Sequence, residues 1–199
     1  MLPSENAFDA QHKLLKENLV DRKAILLNSK MFKIEMGDQV TYWVGDKSAQ
    51  KVSIIVDTER MGNFCKVVLT SKNPLLGKNI SPYASDLYVA IKQDVSNLNL
   101  VFSSDGIMSD DAIRLWSGMV DRGGTISVYD TFTKEYKLSP VIDSDQLQQF
   151  IGDKSKIRYV FVLSENKDVQ LGLKHSFDIM ELKRKTIYPL FEEFRSRTK

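Results

Sequence analysis

The chain has 199 residues, of which 42% are hydrophobic, and its 28 basic and 26 acidic side chains leave a net charge of +2. This length and apolar content predict one domain with a full core, and the near balance of charge argues against a nucleic-acid-binding protein. No apolar run approaches the roughly 18 residues of a membrane helix, and the first residues lack the pattern of a secretion signal.

The N-terminal part of the chain predicts one helix. Residues 7–19 place Phe8, Leu15 and Leu19 on a single face, with charged side chains on the opposite one. Because such a helix is only marginally stable alone, we expect it to pack on a sheet. A second, short apolar piece follows at residues 24–27.

A series of strands comes next. Gly37 and Asp38 separate two alternating segments, and both residue types tolerate the positive φ angles of a hairpin turn. Since consecutive strands usually pair with each other, we expect an antiparallel meander. The predicted strands are residues 32–36, 40–44, 52–56 and 64–69.

Strands and helices then alternate up to residue 130. Ser81 suits the N-cap of a first helix, with Pro82 at its first position, and Ser109 suits the N-cap of a second helix. Gly123 and Gly124 are expected to end that second helix. The apolar stripes hold Leu87, Ile91 and Val95 in the first helix and Ile113, Trp116 and Val120 in the second. Strands are predicted at residues 98–102 and 125–129.

The helix between strands 64–69 and 98–102 makes a crossover connection, which predicts that these two strands are parallel or splayed neighbours. The chain ends with a strand at 136–138, a helix at 144–151, a strand at 158–163 and a helical segment at 173–197 that Pro189 should kink. Together these elements predict an α+β fold in a single domain over residues 1–199. A central mixed sheet is flanked by helices, and the N- and C-terminal helices pack on it.

The single cysteine, Cys65, rules out an internal disulfide and a cysteine-based zinc site. Its apolar strand predicts a buried small hydrophobe, with a reactive thiol as the alternative. Because His12 and His175 are the only histidines, we expect no metal site. The compartment is expected to be reducing and cytoplasmic, that of a host cell or a virion if the protein is viral.

The order of these elements resembles the GCN5-related N-acetyltransferase family over about residues 31–165. The last helix of that family often carries Asn, Ala, an aliphatic residue and Tyr, and closes with Gly. Here SDDAIRLWSGMVDRGG contains Ala112, Ile113, Leu115, Trp116 and Gly123 in that order. The pattern SD-x-x-x-S-x-x-x-x-x-LW is also similar to segments of acetyltransferase-like proteins encoded by bacteriophages.

The coenzyme loop departs from that family. The family motif is Gln or Arg, two residues, Gly, any residue, then Gly or Ala. Its N–H groups hold the pyrophosphate of acetyl-coenzyme A at a helix N-terminus. The equivalent loop here, TSKNPLLGKNISPYASD, has one glycine, Gly77, and Pro82 has no N–H. The Tyr that protonates the departing thiolate in many members falls at Trp116, whose indole N–H is a poor acid.

The resemblance implies a set of candidate site residues. If acyl-coenzyme A binds, its contacts would come from Lys72, Gly77, Lys78, Ser81, Tyr83 and Ala84. The general acid or base would come from Glu35, Asp57 or Tyr88. Each candidate has a structural alternative: the two carboxylates can be exposed strand ends, the tyrosines can be packing residues, and the glycine can serve only the loop.

Two classes of function remain open at this point. The first is a degenerate acetyltransferase-like fold that acts as a non-catalytic interaction or structural protein with a protein partner, in a virus for instance. The second is an acyl-coenzyme A-dependent N-acyltransferase with a non-standard coenzyme loop and acetyl-coenzyme A as cofactor. The missing amide cradle and Trp116 favour the first class, whereas the large share of active enzymes in the family favours the second. A third alternative is an unrelated α+β protein whose order of elements matches by chance. We expect no membrane partner for any of these.

Overall fold

A computed structural model of the chain describes residues 4–62, 64–76, 81–105, 108–121, 125–141, 143–150 and 159–163. The described residues form nine strands and four helices. In chain order these are α1 (Ser4–Asp21), β1 (Ile25–Asn28), β2 (Met31–Met36), β3 (Gln39–Gly45), β4 (Val52–Met61), β5 (Phe64–Lys72), α2 (Ala84–Ser96), β6 (Val101–Ser103), α3 (Asp110–Asp121), β7 (Ser127–Asp130), β8 (Glu135–Leu138), α4 (Ser144–Gln148) and β9 (Tyr159–Leu163).

All nine strands of this part of the chain join one mixed sheet in the order β1-β2-β3-β4-β5-β6-β9-β7-β8. Strands β1 to β5 form an antiparallel meander. Helix α2 then crosses over and sets β6 parallel to β5, with Phe64 opposite Val101. Strand β9 inserts antiparallel between β6 and β7. The predicted α+β fold with a mixed sheet is confirmed, and so is the parallel pairing after the crossover.

The hairpin between β2 and β3 has the predicted turn. Met36 pairs with Gln39, which leaves Gly37 and Asp38 as a two-residue loop. Gly37 has a φ angle of +66°. A Cβ atom at this position would meet nothing within 4 Å, so backbone conformation rather than space favours glycine here.

Each face of the sheet has its own core. Helices α2 and α3 cover one face, where Tyr42 packs in a cluster with Leu87. Helix α1 covers the other face, where Trp43 packs with Leu15. Because consecutive strand residues point to opposite faces, Tyr42 and Trp43 enter different cores, and both are fully buried. Strand β3 is therefore apolar along most of its length.

Several predicted boundaries move in the structure. The strand predicted at residues 98–102 starts only at Val101, because Leu98 donates its N–H to Val95 O and Asn99 adopts a positive φ angle of 56°. The apolar piece at 24–27 becomes edge strand β1. The helix predicted to begin at Ser81 begins at Ala84. By contrast, Ser109 caps α3 as predicted, since its Oγ accepts a hydrogen bond from Ala112 N at 3.2 Å.

Several sequence predictions lie outside the described residues. These include the glycine pair at 123–124, the C-terminal helical segment 173–197 with His175, and the loop residues Gly77 and Lys78.

Candidate functional site

The N-terminus of α2 is where the acetyltransferase resemblance would place the coenzyme, and the protein's own carboxylate occupies part of it. Tyr83 is the N-cap of α2, in place of the predicted Ser81. Its N–H donates to Asp86 Oδ2 at 3.2 Å, and Asp86 N donates back to Tyr83 O at 3.0 Å. The partial positive charge of this helix end is therefore already matched by a carboxylate.

The predicted coenzyme-binding residues are only partly assembled within the described residues. Lys72 ends β5, and its Nζ lies 5.9 Å from the centre of the Tyr83 ring. Ser81 is exposed, and Ala84 packs against the core beneath α2. Gly77 and Lys78 lie outside the described residues. The described geometry thus brings a cation beside the start of α2.

Tyr88, the candidate acid, faces inward from α2. It is 1% exposed, and its hydroxyl lies 2.7 Å from Thr70 Oγ1. Burial raises the pKa of Tyr88 to about 12. A phenol that is buried and holds its proton so tightly is a poor general acid near neutral pH.

Trp116 lies beside Tyr88 in an aromatic cluster, as its apolar stripe predicts. It is 1% exposed and contacts the rings of Tyr88, Phe102 and Phe161 at centroid distances of 5.7, 6.1 and 6.1 Å. The prediction that this tryptophan is buried against the sheet is confirmed. These contacts favour a packing role for the indole.

Glu35, a candidate base, belongs to a network of charged side chains between β2 and α2. Lys33 Nζ lies 3.0 Å from Glu35 Oε1 and 2.8 Å from Asp94 Oδ2. Arg60 donates from Nη2 to Glu35 Oε1 at 2.9 Å. Tyr42 donates its hydroxyl hydrogen to Asp94 Oδ2 at 2.9 Å. Each carboxylate of this network therefore faces a cation.

The contacts within the network favour the charged forms of Glu35 and Lys33. The hydrogen bond from Lys33 lowers the pKa of Glu35 despite partial burial, and the nearby Arg60 adds to this effect. Burial lowers the pKa of Lys33, but its hydrogen bonds to Asp94 and Glu35 outweigh that effect and raise the pKa above its ordinary value. A glutamate with a lowered pKa is a weak base, since a general base works best with a pKa near the operating pH.

Asp57, the other candidate base, lies on the opposite face of the sheet. Its Oδ2 accepts a hydrogen bond from Gln11 of α1 at 2.6 Å, and its Oδ1 accepts one from Thr41 at 2.6 Å. Gln11 is further bonded to Ser71. Because α1 and α2 cover different faces, Asp57 and Glu35 cannot act on one substrate together.

Cys65 is buried at 0% exposure on β5, as its apolar strand predicts. Burial raises the pKa of its thiol to about 11, and the hydrogen bond with Thr58 only partly offsets that rise. The thiolate is the reactive form of cysteine, so this environment leaves Cys65 unreactive.

Sequence reasoning missed the partners that hold Glu35. Lys33 and Glu35 alternate with apolar residues in β2, and this pattern predicts that both face solvent. The sequence therefore carried no signal that Lys33 is buried. Its partner Asp94 could not be identified either, because the two residues are 61 positions apart.

Comparisons with known proteins give this chain no relative: no family model, no curated protein and no solved structure matches it. Within the described ranges, no three His, Cys, Asp or Glu side chains come together as a metal site. In the same residues, no helix combines the length and apolar character needed to cross a bilayer.

Proposed function

We propose that this chain is a non-catalytic interaction protein built on a degenerate acetyltransferase-like fold. The order of elements supports the relationship to that fold: an antiparallel meander leads through a crossover helix into a parallel strand, then into a helix and further strands. The relationship rests on this order and on the segment around Trp116.

The observation that carries the loss of chemistry is the contact between Asp86 and the N–H of Tyr83. A pyrophosphate at this helix end would need free N–H groups and a positive local potential. The Asp86 carboxylate accepts one of those N–H groups and adds a negative charge within the same turn. Like charges at such a distance repel, so the site as described opposes a phosphate.

The acid and base positions support the same proposal. Tyr88 is buried with a raised pKa, and an indole stands at the position of the family's usual acid. Glu35 is held by two cations, and Asp57 is bonded on the far face of the sheet. The raised pKa of Tyr88 and the lowered pKa of Glu35 both oppose proton transfer near neutral pH.

Coenzyme binding tests the proposal directly. A ligand at a hundred times its dissociation constant would stabilise the fold by about 2.7 kcal/mol, which a thermal unfolding experiment detects easily. We expect neither coenzyme A nor acetyl-coenzyme A to raise the midpoint temperature of thermal unfolding of the wild-type chain. Asp86→Asn is the matched variant, because it removes the charge but keeps the shape. A saturable rise with the wild type would overturn the proposal.

The alternative function is an acyl-coenzyme A-dependent N-acyltransferase with a non-standard coenzyme loop. Two observations favour it: Lys72 stands beside the start of α2, and Ser85 in the first turn is buried with no hydrogen-bond partner for its hydroxyl among the described residues. If it holds, Lys72→Ala combined with Lys78→Ala should weaken coenzyme binding. That loss should shrink in high salt, since screening weakens exposed charge contacts.

A further inference from the structure

Strand β1 is an edge of the sheet that the described residues form. It pairs with β2 on one side only, and no described element lies beyond it. An edge strand directs the N–H and C=O of every second residue away from the sheet, and these groups can pair with another extended chain. The side chains that border this backbone decide which kind of chain can pair with it.

The side chains of β1 are apolar and exposed. Ile25 is 44% exposed and Leu26 is 59% exposed, although they stand next to each other in the strand. Alternation sends them to opposite faces, so apolar surface borders the open backbone on both sides. Their neighbours Ala24 and Leu27 pack against the two cores, which holds the strand in place. The edge therefore presents a fixed strand with an apolar rim.

Positive charges stand at both ends of this edge. Lys23 precedes β1 and Lys30 follows it, and both are exposed. Neither lysine side chain makes an ion pair with any residue that the structure describes. A second copy of β1 paired antiparallel about its centre would bring Lys23 of one copy opposite Lys30 of the other, which is repulsive. The charges therefore disfavour self-pairing and favour an acidic partner.

The opposite edge, β8, shows the usual protection of an exposed strand. Its exposed side chains are Glu135 and Lys137, and they alternate with Tyr136 and Leu138, which are half-buried. Lys137 lies 3.6 Å from Glu135 and 3.9 Å from Asp130. Charged side chains on an edge discourage pairing with another chain. Of the two described edges, β1 is the one whose strand residues carry no charge, although its register shifts between Leu26 and Asn28.

The geometry points to β1 as the docking strand for an extended peptide that has an apolar centre and acidic residues at both ends. The peptide would add a tenth strand, bonding through its backbone to the open edge and packing apolar side chains against Ile25 and Leu26. Its acidic ends would face Lys23 and Lys30. This inference rests on the proposed interaction function, for which it names the surface and the class of partner.

The test uses fluorescence anisotropy of the full chain with a labelled synthetic peptide that has an alternating valine–threonine centre and glutamates at both ends. We expect saturable binding. Lys23→Glu with Lys30→Glu should weaken it roughly tenfold, because two exposed attractive charge pairs then become repulsive. The same variant should bind a lysine-ended peptide better than the wild type does.

A matched control separates local from overall charge. Lys13 and Arg114 are both 79% exposed at the side chain and lie on helices. Reversing both to Glu gives the same net charge as the edge variant, and this control should bind the acidic peptide like the wild type. Equal losses in both variants would overturn the inference, and so would binding that does not saturate.

Amide hydrogen exchange shows which backbone takes part. We expect the peptide to slow exchange at residues 25–28. If these amides are all protected in the free protein, another part of the chain already pairs with β1 and the inference is wrong. If sedimentation shows a dimer that Leu26→Lys dissociates, the occupant is a second copy and the inference is again wrong. Coenzyme binding does not enter these outcomes, so this inference and the proposed function fail separately.

Discussion

Lys33 of β2 and Asp94 of α2 form a doubly hydrogen-bonded ion pair, with Lys33 Nζ 2.9 Å from Oδ1 and 2.8 Å from Oδ2 of Asp94. Their side chains are only 9% and 16% exposed. Tyr42 bonds to the same carboxylate from β3. The pair therefore ties the crossover helix to two strands of the meander, and we infer that it fixes the position of α2 along the sheet.

Removing one member of this pair should destabilise the fold. Breaking a fully buried ion pair costs about 3–5 kcal/mol, and the residual exposure here lowers the expected cost of Asp94→Ala to roughly 2–3 kcal/mol. Urea unfolding measures it. Lys33→Met should cost a similar amount, and the double variant should cost less than the sum, since neither charge is then left alone. Fully additive costs would contradict a direct interaction.

Glu35 should make stability depend on pH in the acid range. Its pKa is lowered in the folded state by the hydrogen bond from Lys33 and by Arg60, so it contributes stability above its unfolded pKa, near 4.5. That contribution is lost as the pH falls through the lowered folded value. Glu35→Gln should therefore be less stable than the wild type at neutral pH. The difference in their free energies of unfolding should disappear as the pH falls below about 4.5.

Unfolding midpoints of the two proteins, measured from neutral pH downward, check this prediction. Asp38→Asn on the neighbouring hairpin is a suitable control, because Asp38 is exposed. A gap between the wild type and Glu35→Gln that stays constant through the acid range would show that the Glu35 charge is not the cause.

Much of the fold follows from local pattern. The crossover between β5 and β6 could be predicted because an apolar helix between two apolar strands leaves few other connections. The start of α2 could not be placed, because Ser81 and Pro82 offer a good local cap while Asp86 serves Tyr83 instead. Capping depends on which carboxylate reaches the free N–H, and several spacings satisfy the same sequence signal.

The candidate site was harder to predict than the fold. The burial of Trp116 followed from its helical stripe, because periodicity reports the buried face. The separation of Glu35 and Asp57 onto opposite faces of the sheet did not follow, because it depends on strand register. The side-chain period is two, so a shift of one residue moves a carboxylate to the other face. Register came only from the pairing of Glu35 with Val40 and of Thr41 with Asp57.

Trp116 should be a stability residue. It fills the aromatic cluster with Tyr88, Phe102 and Phe161, so Trp116→Ala should cost roughly 3–5 kcal/mol in chemical unfolding. Trp116→Phe should cost less, because it keeps a ring in the cluster. Val89→Ala on exposed α2 surface should stay within about 0.5 kcal/mol of the wild type. If Trp116→Ala unfolded like the wild type, the packing role would be wrong.

Asp86 links stability to the question of coenzyme binding. Its carboxylate caps the Tyr83 N–H at the positive end of α2, so Asp86→Ala should destabilise the fold by about 1 kcal/mol. Asp86→Glu should recover part of this loss, since glutamate is also favoured at this position of a capping box.

Thermal unfolding of Asp86→Ala with and without coenzyme A then separates the possible roles of this carboxylate. If Asp86→Ala loses stability and still does not bind coenzyme A, groups other than the Asp86 carboxylate also close the helix end. If the variant gains saturable coenzyme binding that the wild type lacks, Asp86 alone closes a site that the fold otherwise retains. If Asp86→Ala is as stable as the wild type, the carboxylate does not cap α2, and the observation behind the non-catalytic proposal is lost.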